Sequence, residues 1–380
     1  MKSAAMTATT RARAVRIREP GGPEVLELST LDVRAPGPGE ILVAVAAAGL
    51  NRADLLQRRG LYPAPPGVPE DVPGLEYAGV VAATGPGVRG FREGDRVMGI
   101  VSGGSFATHL VVSAREVMPV PSNLSLTDAA AIPEVFLTAW DALFLQAKVA
   151  MGESVLVHAA ASGVGSAAVQ LCKVSGARPM GTARSQPKLD AVVPYGLDGG
   201  VCVRDGRFAD AVRALTEGRG ADVILDPVGG DYLEEDLRCL APRGRVVIIG
   251  TMGGPTASLP LGALLHQRAT VIGTVLRSRA LRRKAALAQS FRRSVLPLFE
   301  RGMLSPVVEA VLPMRDVRHT PEWKPTPPPS SSSPGSPLNE PPCSYLRDRR
   351  AARSLHDRRP RPPPPYAARP PTSPTTSRPP

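Results

Sequence analysis

The chain has 380 residues, 43% of them apolar, and a formal net charge of +12. That length leaves room for two packed domains, and no run of about 18 apolar residues is present to cross a bilayer. Half of the net charge falls in residues 321–380, so the rest is only mildly basic; without aromatics interleaved along a basic stripe, a nucleic-acid binder is disfavoured.

Residues 1–13 lack the roughly 7–15-residue apolar segment of a secretory signal and are expected to form a short disordered start. From residue 14 to about residue 121, β-rich runs such as Ile41–Val45 and Gly79–Ala82 alternate with Gly/Pro turns, the pattern of a small β-barrel-like domain. A helix is expected from Thr127, with Ser125 or Thr127 as its N-cap. Apolar strands then alternate with helical stretches. The strands are read at Val155–His158, Val223–Leu225, Val246–Ile249 and Thr270–Gly273, and the helices include Phe208–Thr216 and Tyr232–Leu240. Continuous apolar strands separated by helices predict a doubly wound parallel sheet. After Met314 hydrophobic periodicity vanishes. Residues 320–380 are rich in Pro, Arg and Ser, and a segment that cannot bury enough apolar surface to offset its ordering entropy is expected to be a disordered tail.

Chemistry enters at Val155–Gly165, a strand running into a turn of small residues, with helical spacing from Ser166 to Cys172. A pyrophosphate needs backbone N–H groups and the positive end of a helix dipole, and bulky side chains would block both. Set against G-x-G-x-x-G, the turn reads Ala160-x-Ser162-x-x-Gly165, with Gly163 and Val164 inside it. The strand about 20 residues on decides between NAD and NADP, because an acid there would hold the ribose 2′-hydroxyl. That segment, Met180–Lys188, carries Arg184, Ser185 and Lys188 and no acid, which favours NADPH. The competing reading of Arg184 and Lys188 is solvated cations at a helix start. The four cysteines, at 172, 202, 239 and 343, have neither metal-ligand spacing nor the density of a disulfide scaffold, which fits a reducing cytoplasm.

Several stretches taken together carry a family resemblance. They are Gly49–Leu55, Gly60-Leu61-Tyr62, Pro73–Glu76, Ala129–Glu134, Leu137-Thr138-Ala139, the fingerprint from His158 to Gln170, and Leu276–Arg279. From about Arg13 to His319 the chain resembles a zinc-independent medium-chain dehydrogenase/reductase, in the tumour-suppressor-inducible branch of the NADPH:quinone oxidoreductases. The resemblance implies an α/β fold: a GroES-like β-barrel catalytic domain at 14–137, with 280–319 contributing, and a Rossmann NADP-binding domain at 138–279. It also implies an active cleft between them and a homodimer. Zinc enzymes of the superfamily place a cysteine and a Gly-His-Glu in that cleft; here Asn51 and Leu75 stand at the cysteine-like and histidine-like positions, so no tetrahedral zinc set is provided and metal-free chemistry is expected.

By the same resemblance, Asn51 and Tyr62 are the catalytic candidates, lining the pocket for nicotinamide and for a quinone or enone. Asn51 as a helix cap and Tyr62 as loop packing are the competing readings. Thr138, Gly250, Met252, Gly253, Leu276 and Arg277 join Ala160, Ser162, Gly163, Val164, Gly165, Arg184, Ser185 and Lys188 as cofactor contacts. His158 is read as a satisfied core histidine. Departures from the family are Arg184 in place of a common Gly, Pro194 late in a helix, and Val203 where a tyrosine often stacks near the adenosine. The largest lies after His319, where a closing helix and strand give way to Pro/Arg/Ser sequence, and a reading-frame change is the expectation. Two alternatives follow from that region: an NADP-binding protein with impaired catalysis, or a tail that binds an SH3-like groove or nucleic acid.

Overall fold

The computed structural model describes residues 9–319, so the sequence expectations for residues 1–8 and for the tail at 320–380 lie outside the described residues. The chain opens with β1 (Thr9–Ile17) and β2 (Leu26–Arg34), an antiparallel pair whose register runs from Thr9 opposite Arg34 to Ile17 opposite Leu26. This corrects the disordered start for residues 9–13. Arg11 and Arg13 alternate with Ala12 and Ala14, which are fully buried, so the run of arginines is the solvent face of a strand.

A five-stranded antiparallel sheet follows, built from β3 (Glu40–Ala47), β4 (Glu76–Thr84), β5 (Arg96–Ile100), β6 (His109–Ser113) and β7 (Met118–Pro119) in the order β6-β3-β4-β5-β7. Helix α1 (Arg52–Arg58) lies in sequence between β3 and β4. Ile41, Val43, Tyr77, Val81, Val97, Val112 and Val117 form the core of this domain. Helix α2 (Leu126–Ala129) is capped by Ser125, whose Oγ accepts the Asp128 N–H at 3.0 Å. Helix α3 (Pro133–Trp140) starts on a proline suited to that position and runs into a π-helical turn, Asp141–Gln146.

The second sheet contains β8 (Ser154–Val157), β9 (Arg178–Ala183), β10 (Gly199–Cys202), β11 (Ala221–Asp226), β12 (Leu240–Ile248) and β13 (Thr270–Gly273), all parallel, in the order β10-β9-β8-β11-β12-β13. Numbered along the chain this is 3-2-1-4-5-6, a doubly wound order; the sequence predicts the doubly wound parallel sheet, and the order comes from the structure. Between the strands run α4 (Gly163–Val174), α5 (Gln186–Asp190), α6 (Ala209–Leu215), α7 (Tyr232–Cys239) and α8 (Leu261–Gln267). Every residue of β8 and of β11 is buried, which is why their centres, Val155–Val157 and Val223–Leu225, are apolar without alternation. Helix α5 stops at Asp190 and is followed by a 3-10 turn at Val193–Tyr195, where Pro194 cannot donate a helical hydrogen bond.

After β13 the chain returns as α9 (Leu281–Ser294) and α10 (Leu296–Glu300). Phe291, Phe299 and Leu304 belong to the same buried cluster as Met98, Ile100 and Met118 of the first domain and Ala167 and Val169 of α4, so one core spans both sheets. The Phe136 and Phe299 rings meet edge to face at 4.9 Å, and Asn123 Nδ2 donates to the Phe299 carbonyl at 3.0 Å. Each buried phenylalanine of this kind stabilises by about 1.5–3 kcal/mol.

Candidate active site

At the end of β8 the chain reverses through Ala159, in the left-handed region at φ 50°, and reaches Ser162, the N-cap of α4. Ser162 Oγ accepts the Gly165 N–H at 3.1 Å. A Cβ on Gly165 would lie 2.4 Å from the Ala159 carbonyl oxygen and 2.7 Å from the Ala160 carbonyl carbon, backbone that cannot give way, so only glycine lets the helix start seat on the turn. The first-turn N–H groups of Gly163 and Val164 have no intrahelical partner, which leaves them available to an anion. Buried Ala160 ties the turn to the next strand by donating its N–H to the Thr182 carbonyl at 2.9 Å. The site therefore fits a dinucleotide pyrophosphate.

At the end of β9, Arg184 and Lys188 are exposed and Ser185 is half-buried. Ser185 occupies the N-cap of α5 with extended backbone and makes no capping bond. The turn after β12 packs against the turn after β11: the Ile249, Met252 and Gly253 N–H groups donate to the carbonyls of Asp226, Pro227 and Val228. Asp226 in turn accepts the Val228 and Gly229 N–H groups at 2.6 and 2.9 Å. Gly250, Met252 and Gly253 are thus held at the carboxyl ends of the strands, on the side where α4 begins, as ligand sites of open α/β sheets require.

His158 is a structural residue. Its ring is fully buried, with Nδ1 2.9 Å from Thr182 Oγ1, Nε2 2.7 Å from Asp236 Oδ1, and the Phe208 and Tyr232 rings edge-on to it. Burial pulls its pKa down, but the charge and hydrogen bond of Asp236 outweigh that and leave it raised.

The other part of the site gathers residues distant in sequence. Asn51 is the N-cap residue of α1, in a capping box with Asp54, while its Nδ2 donates outward to Glu76 Oε1 at 2.8 Å. Asp54 completes the helix end, accepting the Asn51 N–H at 2.8 Å and, on its other oxygen, the Gly74 N–H at 2.8 Å. The second oxygen of Glu76 accepts the Glu134 N–H at 2.8 Å, at the start of α3. Thr138 is half-buried one turn further along α3, on the face that Glu134 shares. Leu75 is buried at 2% exposure.

Tyr62 is half-buried beneath the guanidinium of Arg277, which stands 4.8 Å above its ring. Arg277 is itself buried: Nε donates to the Ser102 carbonyl at 2.8 Å, Nη1 to the Tyr62 carbonyl at 3.1 Å and Nη2 to Gln57 Oε1 at 2.6 Å. Leu276 beside it is buried as well. Through Glu76 the structure links Asn51 to Glu134, which lies near enough to Tyr62 and Arg277 for its charge to act on both. The Arg277 guanidinium, expected on the cofactor, grips the first domain.

Burial is the leading cause of the pKa shifts here. It raises Asp54 to about 6 and Glu76 to about 7, although both accept hydrogen bonds that favour the carboxylate. Glu134 rises to about 8, first through burial and then through the charges of Glu76 and Asp54, which Arg277 only partly offsets. Tyr62 is raised by burial against the pull of Arg277 and so keeps its phenolic proton at neutral pH. Sequence reasoning missed Asp54 and Glu134. The available signals were an acid three residues after an Asn cap and an acid directly after the proline that opens α3.

Two sequence-family matches cover the two halves: residues 37–122 match the alcohol dehydrogenase GroES-like domain, and residues 163–292 match the family described as zinc-binding dehydrogenase. The first of the curated relatives, pikromycin polyketide synthase component PikAII of Streptomyces venezuelae, is 43% identical over 226 residues, and the chain spans only 6% of its length. The quinone oxidoreductase of Rattus norvegicus is 32% identical over 305 residues, covering 80% of this chain and 90% of the relative. Among solved structures, the quinone oxidoreductase of Pseudomonas syringae pv. Tomato DC3000 superposes with a TM-score of 0.72 at 33% identity, covering 81% of this chain and 94% of that one. The CurK enoyl reductase gives 0.73 at 29% identity with the same coverage.

A GroES-like domain joined to a Rossmann domain defines a medium-chain dehydrogenase/reductase, an oxidoreductase class whose members bind NAD(P). Within that class the chain belongs to the quinone oxidoreductase family. The zinc in the name of one matching family finds no suitable donors around Asn51 and Leu75. Leu75 offers none, the Asn51 amide is engaged by Glu76, and the oxygens of Asp54 and Glu76 are taken by hydrogen bonds. Among the described residues no group of three or more His, Cys, Asp or Glu is arranged to hold a metal ion.

Proposed function

We propose that this protein reduces quinones, or related conjugated carbonyls, with NADPH in the cleft between its domains. The observation that carries this reading is the Asn51–Glu76–Glu134 arrangement where zinc enzymes of the class need metal ligands. With no such ligand set, the acceptor must be electrophilic already, and a quinone is. With its pyrophosphate held at the β8–α4 turn, bound NADPH would supply a hydride from its dihydronicotinamide ring. The chain's own task is positioning and hydrogen bonding to the oxygen that gains charge. Two donors suit it: the second Nδ2 hydrogen of Asn51, beyond the one given to Glu76, and the hydroxyl of Tyr62, which burial keeps protonated. Glu76 fixes the orientation of the Asn51 amide. Thr138 on α3 is assigned to the nicotinamide end.

NADPH rather than NADH is favoured by the end of β9, where Arg184, Ser185 and Lys188 offer two cations and a hydroxyl and Met180–Lys188 contains no acid to repel a 2′-phosphate. A homodimer is favoured by β13, a half-buried strand at the edge of the parallel sheet, together with neighbouring α8, where Leu261 and Leu265 are 63% and 75% exposed. An edge of this kind is covered when a second copy pairs with it, and light scattering of the purified chain tests that. Titration with NADPH and NADH, followed by turnover on 1,2- and 1,4-quinones and on enones, tests the activity. Quinone-dependent oxidation of NADPH supports the proposal, and cofactor binding without turnover on any of these acceptors contradicts it.

A further inference from the structure

We infer that Arg277 is a positioning residue of the acceptor pocket: reaching from the cofactor domain, it fixes the Tyr62 loop and so completes the pocket only when the two domains are together. The geometry is a three-way clamp. Its donors go to separate segments of the first domain, namely Gln57 of α1, the Tyr62 carbonyl in the loop that follows, and Ser102 after β5. The guanidinium face also covers the Tyr62 ring at 4.8 Å. Gln57 extends the clamp by donating Nε2 to the Glu70 carbonyl at 2.9 Å, which ties down the far end of the loop that carries Tyr62.

The segment that carries Arg277 is anchored by further bonds, to both sides. Ser102 Oγ donates back to the Arg277 carbonyl at 2.7 Å and accepts from Lys284 Nζ at 2.9 Å. Two residues on, Arg279 Nη1 reaches Asp141 Oδ1 at 2.8 Å, and Thr274 Oγ1 donates to Asp141 Oδ2 at 2.9 Å. Asp141 sits at the first position of the π-helical turn that continues α3, so the clamp's base is fixed to the helix that carries Glu134 and Thr138. A planar fork with several fixed donors suits this task, and a lysine ammonium cannot reproduce it.

The assignment of Tyr62 to the acceptor rests on the quinone-reductase reading; the clamp itself does not. The test compares the full-length wild type with Arg277→Lys and Arg277→Met by three readouts: hydrogen exchange of residues 60–70, NADPH affinity from fluorescence titration, and steady-state kinetics with 1,2-naphthoquinone. The clamp predicts that both variants speed exchange in the loop by about tenfold or more and raise the quinone KM by about tenfold, with NADPH affinity within about threefold of wild type. Arg277→Lys should recover little of the loop protection. Loop exchange unchanged while NADPH affinity falls about tenfold or more overturns the inference and returns Arg277 to the cofactor. If Arg277→Met does not fold, Arg277→Lys decides alone. A wild type that turns over no quinone defeats the functional reading, yet exchange and affinity still decide the clamp.

Discussion

At the dinucleotide turn, the residues that shape the site are consecutive, from Ala159 to Gly165, and their requirements are steric. The proposed acceptor site instead draws Asn51, Tyr62, Glu76, Glu134 and Arg277 from five segments, with a separation of 220 positions between Gln57 and its hydrogen-bond partner Arg277. Its requirements are electrostatic: three carboxyls and one guanidinium brought out of water together. A local site of the first kind writes itself into a short motif, and an assembled site of the second kind does not.

The sharpest way to break this comparison is to attack the turn. In Gly165→Val the added carbons meet backbone at 2.4 Å, so we expect NADPH affinity to fall by at least about 100-fold, or the soluble protein to be lost. Wild-type affinity in a fluorescence titration would show that the turn has slack the structure denies it. A milder disturbance at the same end is the pair Arg184→Glu and Lys188→Glu. Replacing two cations by anions beside a 2′-phosphate should weaken NADPH by about 30- to 100-fold and leave NADH within about threefold. Equal losses for both cofactors would remove the basis for the NADPH preference.

The same contrast explains what the sequence made legible. The parallel sheet and the Ser162–Gly165 turn follow from apolar runs, small residues and spacing, all of them local, whereas the strand order appears only in the structure. Asn51 was legible as a residue of interest by resemblance, but only the structure shows that it both caps α1 in a box with Asp54 and gives its amide N–H to Glu76. Glu134 was invisible as an ionisable group, because its pKa depends on Glu76 and Asp54, which lie far away along the chain. Residues 9–13 show the reverse error: their arginines read as disorder, although alternation with buried Ala12 and Ala14 makes them a strand.

The assembled cleft makes its own predictions, smaller in size. Burial raises Glu134 to about 8 and Glu76 to about 7 from a starting value of 4.5. A carboxyl with a folded pKa above its unfolded one binds its proton more tightly in the native state. Its stabilising contribution is therefore full below about pH 4.5 and is lost as the pH climbs to about 8. Glu134→Gln removes this loss, so the Tm of the variant minus that of the wild type should rise by a few degrees between pH 6 and pH 9. A flat difference would mean that the Glu134 carboxyl is solvated. The smallest effect is expected from Glu76→Gln, which offers one acceptor and one donor where Asn51 Nδ2 and the Glu134 N–H both need acceptors. We expect kcat/KM with quinone to fall by about three- to tenfold with NADPH affinity unchanged, the size of one weakened hydrogen bond. A fall in NADPH affinity would link Glu76 to the cofactor instead.

The central claim is that an intact NADPH cradle faces a cleft built for an acceptor that needs no Lewis acid. Initial rates of NADPH and NADH oxidation by the full-length chain with 1,2- and 1,4-naphthoquinone, in the presence of a metal chelator, test it most directly. The account predicts saturable, chelator-insensitive turnover with kcat/KM at least about tenfold higher for NADPH. Turnover abolished by the chelator, or equal for the two cofactors, would contradict it.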